Sequence, residues 1–206
     1  ALLKKAAEDP RVFDETGDVW SVQLAREAAV IAAYRYRYVG KAETYVKECF
    51  AEMTGEREVP ALRYLGAAKE EVGLYGDPAA LEAFLLRKLR ENVAREIAAG
   101  ATLYGAHKDD VEIELNGKSA RSYCSQGQQR SLALALKMAE GEICREDCGE
   151  YPVFLFDDVL SELDGARREY LLRKIRGRQV ILTTCERDSA PAGRRIFVKN
   201  GVFSEG

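Results

Sequence analysis

Two carboxylates, Asp157 and Asp158, follow an unbroken apolar run, Val153-Phe154-Leu155-Phe156. The run is too short for a helix and rich in β-formers, so it reads as a central strand of a parallel sheet, covered on both faces. Open α/β sheets bind ligands at the carboxyl ends of their strands, which puts both acids where a ligand is expected. Solvated turn aspartates would look the same in isolation. Ser161-Glu162-Leu163-Asp164 continues the loop, and Asp164 is suited to cap a helix from Gly165 to about Ile175. Upstream, Ser125 and Gly127 stand just before a helical pattern carried by Leu132, Leu136 and Ala139 to Ile143. A serine, a glycine and unpaired backbone N–H groups at a helix start suit an anion, because dipole and donors point outward together. The plain alternative is a serine N-cap worth about 1 kcal/mol. Taken together, a phosphate-friendly helix start and a strand ending in two acids support each other.

Several elements must position these residues. Ala1 to Ala7 reads as the end of a helix, closed before Asp9-Pro10. Asp18 is suited to cap a long helix from about Val19 to Met53, stopped by Gly55. Leu24, Ile31, Tyr38 and Tyr45 recur every seven residues, with Ala28, Ala42 and Cys49 alongside, as an apolar seam requires. Such a helix reads as an arm. Within it, Arg35, Arg37 and Lys41 alternate with tyrosines; they could clasp a phosphate backbone, or be solvated opposite a face buried by Tyr34 and Tyr38. Glu56 to Leu65 reads as an edge strand because of Pro60. Asp77-Pro78 starts a second long helix, with Leu81, Leu85, Leu89, Val93 and Ile97 on one face up to Gly100. The two long helices would form a hairpin or small helical domain over residues 1–100. Beyond it, Val111 to Leu115 with Asn116-Gly117 predicts a hairpin, and so does Arg195 to Phe203 around Asn200-Gly201. Gln179 to Thr184 reads as a buried strand parallel to the Asp157 strand. The only histidine, His107, stands beside a turn and reads as a structural hydrogen-bonder.

Composition narrows the field. Residues 1–100 carry 15 basic and 17 acidic side chains, and residues 101–206 carry 16 and 17, so no basic excess announces nucleic acid. Any DNA contact must come from a local patch. No apolar run is long enough to cross a membrane and no signal peptide is visible, which fits a cytoplasmic protein. Five scattered cysteines, one histidine and no CxxC argue against a zinc site and for reduced thiols.

The ordered combination of motifs carries a resemblance. Ser125 to Arg130, SQGQQR, resembles the signature motif of ABC-type ATPases, and FLFDD followed by SELD resembles their Walker B strand and D-loop. With GAHKDDVEIELNGKSAR from Gly105 to Arg121 ahead of them, the wording is similar to the RecF family of bacterial recombination-repair proteins. The likeness is close from Thr102 to about Cys185 and looser from Phe13 to Gly100. Ala106 and Lys108 depart from the family's usual GPHRDD, and TTC lacks the histidine that many ABC-type heads place at that switch position, leaving Thr184 as the nearest polar candidate. The resemblance implies an α/β fold, part of an ABC-type ATPase head with a mixed sheet and flanking helices, plus a helical arm. Residues 1–100 would be the arm, truncated at its start, and residues 101–206 the C-terminal lobe. It also implies roles. Asp157 would hold Mg²⁺ through its water shell, and Asp158 would orient or deprotonate the attacking water. Ser125, Gly127 and Gln128 would touch the γ-phosphate of ATP held by a second subunit, while Ser161 and Asp164 would signal across that interface. The implied partners are DNA junctions, the RecR and RecO mediator proteins and a second copy in an ATP-dependent homodimer.

No GxxxxGK[ST] phosphate loop occurs anywhere in the chain. In RecF-like proteins it precedes the arm, so the 206 residues look like the C-terminal part of a longer ATPase, inactive alone. Two other readings compete: a head from another SMC-like ATPase, which would need a much longer coiled coil, and a non-enzymatic helical interaction module.

Overall fold

The computed structural model describes residues 2–9, 11–55, 57–185 and 193–205. Helix α1 (Leu2–Glu8) leads into α2 (Arg11–Thr54), a helix of 44 residues and about 66 Å. It ends before Gly55, whose φ of +70° is left-handed. The cap expected at Asp18 is not formed. Asp18 lies inside α2, because no residue between Arg11 and Asp18 breaks a helix, and its carboxylate takes Arg90 Nε and Nη2 at 2.7 and 2.9 Å.

The buried seam of α2 is shifted one residue from expectation. Ala25, Ala32, Val39, Val46 and Met53 recur every seven residues at the core, with Ala28, Ala42 and Cys49 beside them. Leu24, Tyr38 and Tyr45 are only half-buried and Ile31 is exposed. Neighbouring helices approach closely along a stripe of alanines, so the bulky residues are left at its margins.

Strand β1 (Pro60–Leu65) is the edge of a three-stranded antiparallel sheet, and Pro60 occupies its first position. The reading of an earlier strand start at Glu56 falls on a residue outside the described ones. Next come α3 (Pro78–Glu91) and α4 (Val93–Ala99). Asp77 caps α3 as expected, accepting the N–H groups of Ala79 and Ala80 at 3.0 and 3.2 Å. The single helix expected as far as Gly100 is broken at Asn92. That residue leaves helical geometry and turns its side-chain amide back onto the Lys88 carbonyl at 2.8 Å.

Strands β2 (Asp110–Leu115) and β3 (Lys118–Ser119) form the expected hairpin, with Asn116 and Gly117 both left-handed at the turn. β2 pairs with β1, Pro60 opposite Leu115, so the sheet crosses the division drawn at residue 100. Helices α5 (Ala120–Tyr123) and α6 (Gln126–Cys148) follow. Strand β4 (Phe154–Asp157), helix α7 (Gly165–Lys174) and strand β5 (Val180–Thr183) come next, and β4 and β5 pair in parallel as expected. The hairpin of β6 (Ile196–Lys199) and β7 (Val202–Glu205) closes the chain.

Covering on both faces is not found for the β4–β5 pair. Phe154 and Phe156 are buried, but Leu155 is 72% exposed and Ile181 59%. The alternate side chains of both strands face a side on which no described element packs, so the apolar run marks one buried and one open face.

α2 is the common support. Its Lys41 and Tyr45 meet Asp147 and Glu146 near the end of α6, the Tyr45 hydroxyl donating to Glu146 at 2.7 Å. Lys174 of α7 reaches Glu52 at 2.8 Å. Across the core, Gly141 of α6 lies against the Phe154 ring, where an added Cβ would come within 2.4 Å of ring carbon. Arg178 closes this side, 2.8 Å from Glu142 and with its guanidinium 3.8 Å from the Tyr151 ring centre.

A second buried cluster joins α2 to the loop before β2. Tyr36 stacks on Tyr75 at 4.8 Å, and Tyr64 donates its hydroxyl to Asp109. Arg35 reaches the Ala106 carbonyl and stands 4.0 Å from Asp109. His107 bonds to Thr102 at 3.2 Å, the structural role expected of it. Burial pushes the Asp109 carboxyl up, against the opposing pull of Tyr64 and Arg35.

Two predictions follow from this packing. Gly141→Ala will lower the urea midpoint by an amount equivalent to about 1–3 kcal/mol, because the added methyl overpacks against Phe154. The second concerns pH. A carboxyl raised in the folded state holds its proton more tightly there than when unfolded. Its contribution is therefore present below the ordinary carboxylate range and lost as pH rises through the folded value. Asp109→Asn should flatten that decline above about pH 4 in melting experiments, and an unchanged slope would contradict the assignment.

Candidate functional site

The site residues fall into two groups. The first surrounds the start of α6. Ser125 is the N-cap: its Oγ accepts the Gln128 N–H at 3.3 Å, and Gln128 Oε1 accepts the Ser125 N–H at 2.7 Å. This reciprocal capping box satisfies two otherwise orphaned donors. Gly127 lies in the first turn, its carbonyl taken by the Ser131 hydroxyl at 2.8 Å. The free side-chain amide of Gln128 reaches Glu58, in the segment between α2 and β1. One turn later Arg130 approaches Glu162, Nε to Oε2 3.4 Å, which sets the helix start beside the loop after β4.

The second group closes β4. Thr183 lies opposite Asp157 in the parallel register, and its hydroxyl donates to Asp157 Oδ1 at 2.5 Å. The same Oγ1 accepts the Asp158 N–H at 3.1 Å. Asp158 has φ +47° and ψ 25°, a left-handed backbone uncommon for a residue with a side chain and costing about 1 kcal/mol or more. Ser161 donates its hydroxyl to the Asp158 carbonyl at 2.8 Å, folding the loop back over the acids. Asp164 caps α7 as expected, accepting the Arg167 N–H at 3.0 Å, and pairs with the Arg167 side chain. Thr184 stands just past the end of β5 and is half-buried.

Ser125, Gly127 and Gln128 are thus brought together, and so are Asp157, Asp158 and Ser161. Among the described residues no hydrogen bond joins Ser125 to either acid. The loop 158–164 lies between the groups, touching the first through Glu162 and the second through Ser161. Thr183, Glu58 and Glu162 were missed by sequence reasoning. For Thr183 a signal existed, since a parallel partner strand ending in Thr-Thr must set one hydroxyl level with the last residue of β4. For Glu58 there was none, because its contact depends on the path between α2 and β1.

The arrangement offers an acidic strand end for a hydrated cation and a capped helix start for an anion, the two demands of a metal–phosphate ligand. Comparison with known proteins gives these features a family. A DNA replication and repair protein RecF from Acidothermus cellulolyticus is 37% identical over 201 residues, 96% of this chain and 54% of that protein. A RecF from Staphylococcus carnosus is 40% identical over 170 residues, 81% of this chain and 45% of that protein. The solved structure of the recombination mediator protein RecF-ATPrS in the RecFOR pathway superposes with a TM-score of 0.87 at 31% identity, covering 99% of this chain and 54% of that one. The RecF-ATP form gives 0.84, also at 31% identity, over 99% and 53%. No family model matches. The chain spans about half the length of the curated relatives it matches. Sequence identity sustained over most of the chain, on a shared mixed helix-and-sheet fold, makes it a member of the RecF family of DNA replication and repair proteins.

Proposed function

We propose that this chain supplies the signature-helix and acidic-strand half of a cytoplasmic RecF-like ATPase, with residues 1–100 as its arm and 101–206 as its lobe, the two joined by the pairing of β1 with β2. In that reading ATP is held between two copies, DNA junctions are bound in a nucleotide-dependent way, and recombinase loading at single-strand gaps is helped together with RecR and RecO. The observation that carries the reading is the Asp157–Thr183–Asp158 cluster at the carboxyl end of β4.

The residues fit a magnesium nucleotide. One oxygen of the exposed Asp157 carboxylate is held by Thr183, and the other accepts no hydrogen bond among the described residues. A single exposed carboxylate with one oxygen unengaged suits Mg²⁺, which keeps several waters and takes one or two carboxylates plus phosphate oxygens. When bound, the ion would neutralise charge on the phosphoryl oxygens. Asp158, held by Thr183 at its N–H and by Ser161 at its carbonyl, would direct its carboxylate to the attacking water. The Ser125 oxygen already accepts from Gln128, so its hydroxyl proton remains available to a phosphate oxygen. Asp164 is engaged with Arg167, so its part across an interface is to hold the loop rather than to touch nucleotide. No helix among the described residues is long and apolar enough to cross a membrane.

The test joins this chain to the half of Acidothermus cellulolyticus RecF that it does not match. Alone, the chain should bind ATP weakly and hydrolyse none measurably; micromolar binding would contradict the reading. The chimera should hydrolyse Mg·ATP. In it, Asp158→Ala should cut turnover by about a hundredfold or more while keeping nucleotide binding. Ser125→Ala should weaken nucleotide-dependent dimerisation seen by sedimentation. Turnover unchanged in Asp158→Ala would remove the assignment.

A further inference from the structure

Glu58 is absent from the motifs, yet it grips one of their residues. The segment 57–59 runs from α2 to β1 and is fixed on the turn between β2 and β3. There the Val59 N–H donates to Asn116 Oδ1 at 2.8 Å, and the Asn116 N–H donates to the Val59 carbonyl at 2.9 Å. From this anchored segment the Glu58 carboxylate accepts the side-chain amide of Gln128. The same side chain offers its oxygen to the Ser125 N–H.

These contacts permit only one orientation of the Gln128 amide. A carboxylate only accepts and a backbone N–H only donates, so Nε2 must face Glu58 and Oε1 must face Ser125. Reversing the amide would set two acceptors together on one side and two donors on the other. Glu58 therefore holds the far end of the amide in the one orientation that the Ser125 N–H also requires. Its charge is also felt at the residue before Ser125, where burial first and Glu58 second push the Cys124 thiol up.

We propose that Glu58 is a positioning residue that couples the C-terminal end of the arm helix to the start of α6, fixing Gln128 and through it Ser125. The consequence for catalysis rests on the proposed nucleotide contact of Ser125. A change in where α2 ends would be delivered to the phosphate-facing serine through a single carboxylate.

Two measurements test this. In the 206-residue chain, Glu58→Ala should speed hydrogen exchange of the Ser125 N–H by about fivefold or more, while amides inside α6, such as Met138, keep their protection. Glu58→Gln keeps an acceptor oxygen and should restore near-native exchange. In the chimera, Glu58→Ala should raise KM for ATP by about fivefold with kcat within about twofold, and Glu58→Gln should rescue it. Unchanged exchange at Ser125 in Glu58→Ala, or a lowered KM, would overturn the proposal. Should Ser125→Ala leave nucleotide use by the chimera intact, the nucleotide reading fails, while the exchange experiment still decides whether Glu58 holds the box.

Discussion

Close approach along the first half of α2 is the constraint on which the molecule depends. Ala25, Ala28, Ala29, Ala32 and Ala33 are all buried, and each leaves room for a neighbouring backbone. Farther along, Val39, Val46, Phe50 and Met53 fill the wider space toward α6 and α7. The gradient from small to large sets the spacing of the elements around a single rod. Since α6 and α7 both contact α2, the helix start at Ser125 and the loop before Asp164 take their positions from it. Burying small residues yields less per position than burying leucines. The larger residues from Val39 to Met53 compensate, extending the buried side of α2 beyond the alanines.

Features with local causes were legible in the sequence. Ser125, Asp77 and Asp164 cap helices, and Asn116-Gly117 and Asn200-Gly201 turn hairpins, because the deciding hydrogen bond or backbone angle lies within a few residues. The parallel pairing of β4 with β5 followed from a short helical crossover. What failed depended on distant partners. The heptad of Leu24, Ile31, Tyr38 and Tyr45 was attractive by side-chain size, but the neighbours of α2 select its alanine stripe. Asp18 resembled a cap until Arg90, far along the chain, claimed it. Asn92 is the exception with a local cause, since its amide bonds back to the Lys88 carbonyl and breaks a helix whose apolar spacing runs on without interruption. At the site, sequence supplied both acids and a partner strand ending in Thr-Thr, and the strand register selects Thr183 of the two.

Charge follows the same logic. The Arg35-Arg37-Lys41 set reads either as a phosphate clasp or as solvated cations behind a face buried by Tyr34 and Tyr38, but Arg35 turns to Ala106 and Asp109, Lys41 turns to Glu146 and Asp147, and Tyr34 is exposed. Arg37 is exposed and has no ion pair among the described residues. Exposed pairs such as Lys174–Glu52 contribute about 1 kcal/mol or less each. Their use is in register: three of them, on α3, α6 and α7, fasten different levels of the same rod.

The open side of the β4–β5 pair bears on how the polypeptide behaves in a test tube. Leu155 and Ile181 point outward from strands in which β5 is the only hydrogen-bonded neighbour of β4 among the described residues, and Val202 and Phe203 of the last hairpin are similarly bare. Greasy side chains beside unsatisfied main-chain edges are a template for sticking. Yield, monodispersity and shelf life of the purified material will therefore be governed by this stripe, and a charged residue in place of Leu155 is the natural gatekeeper for keeping concentrated samples clear.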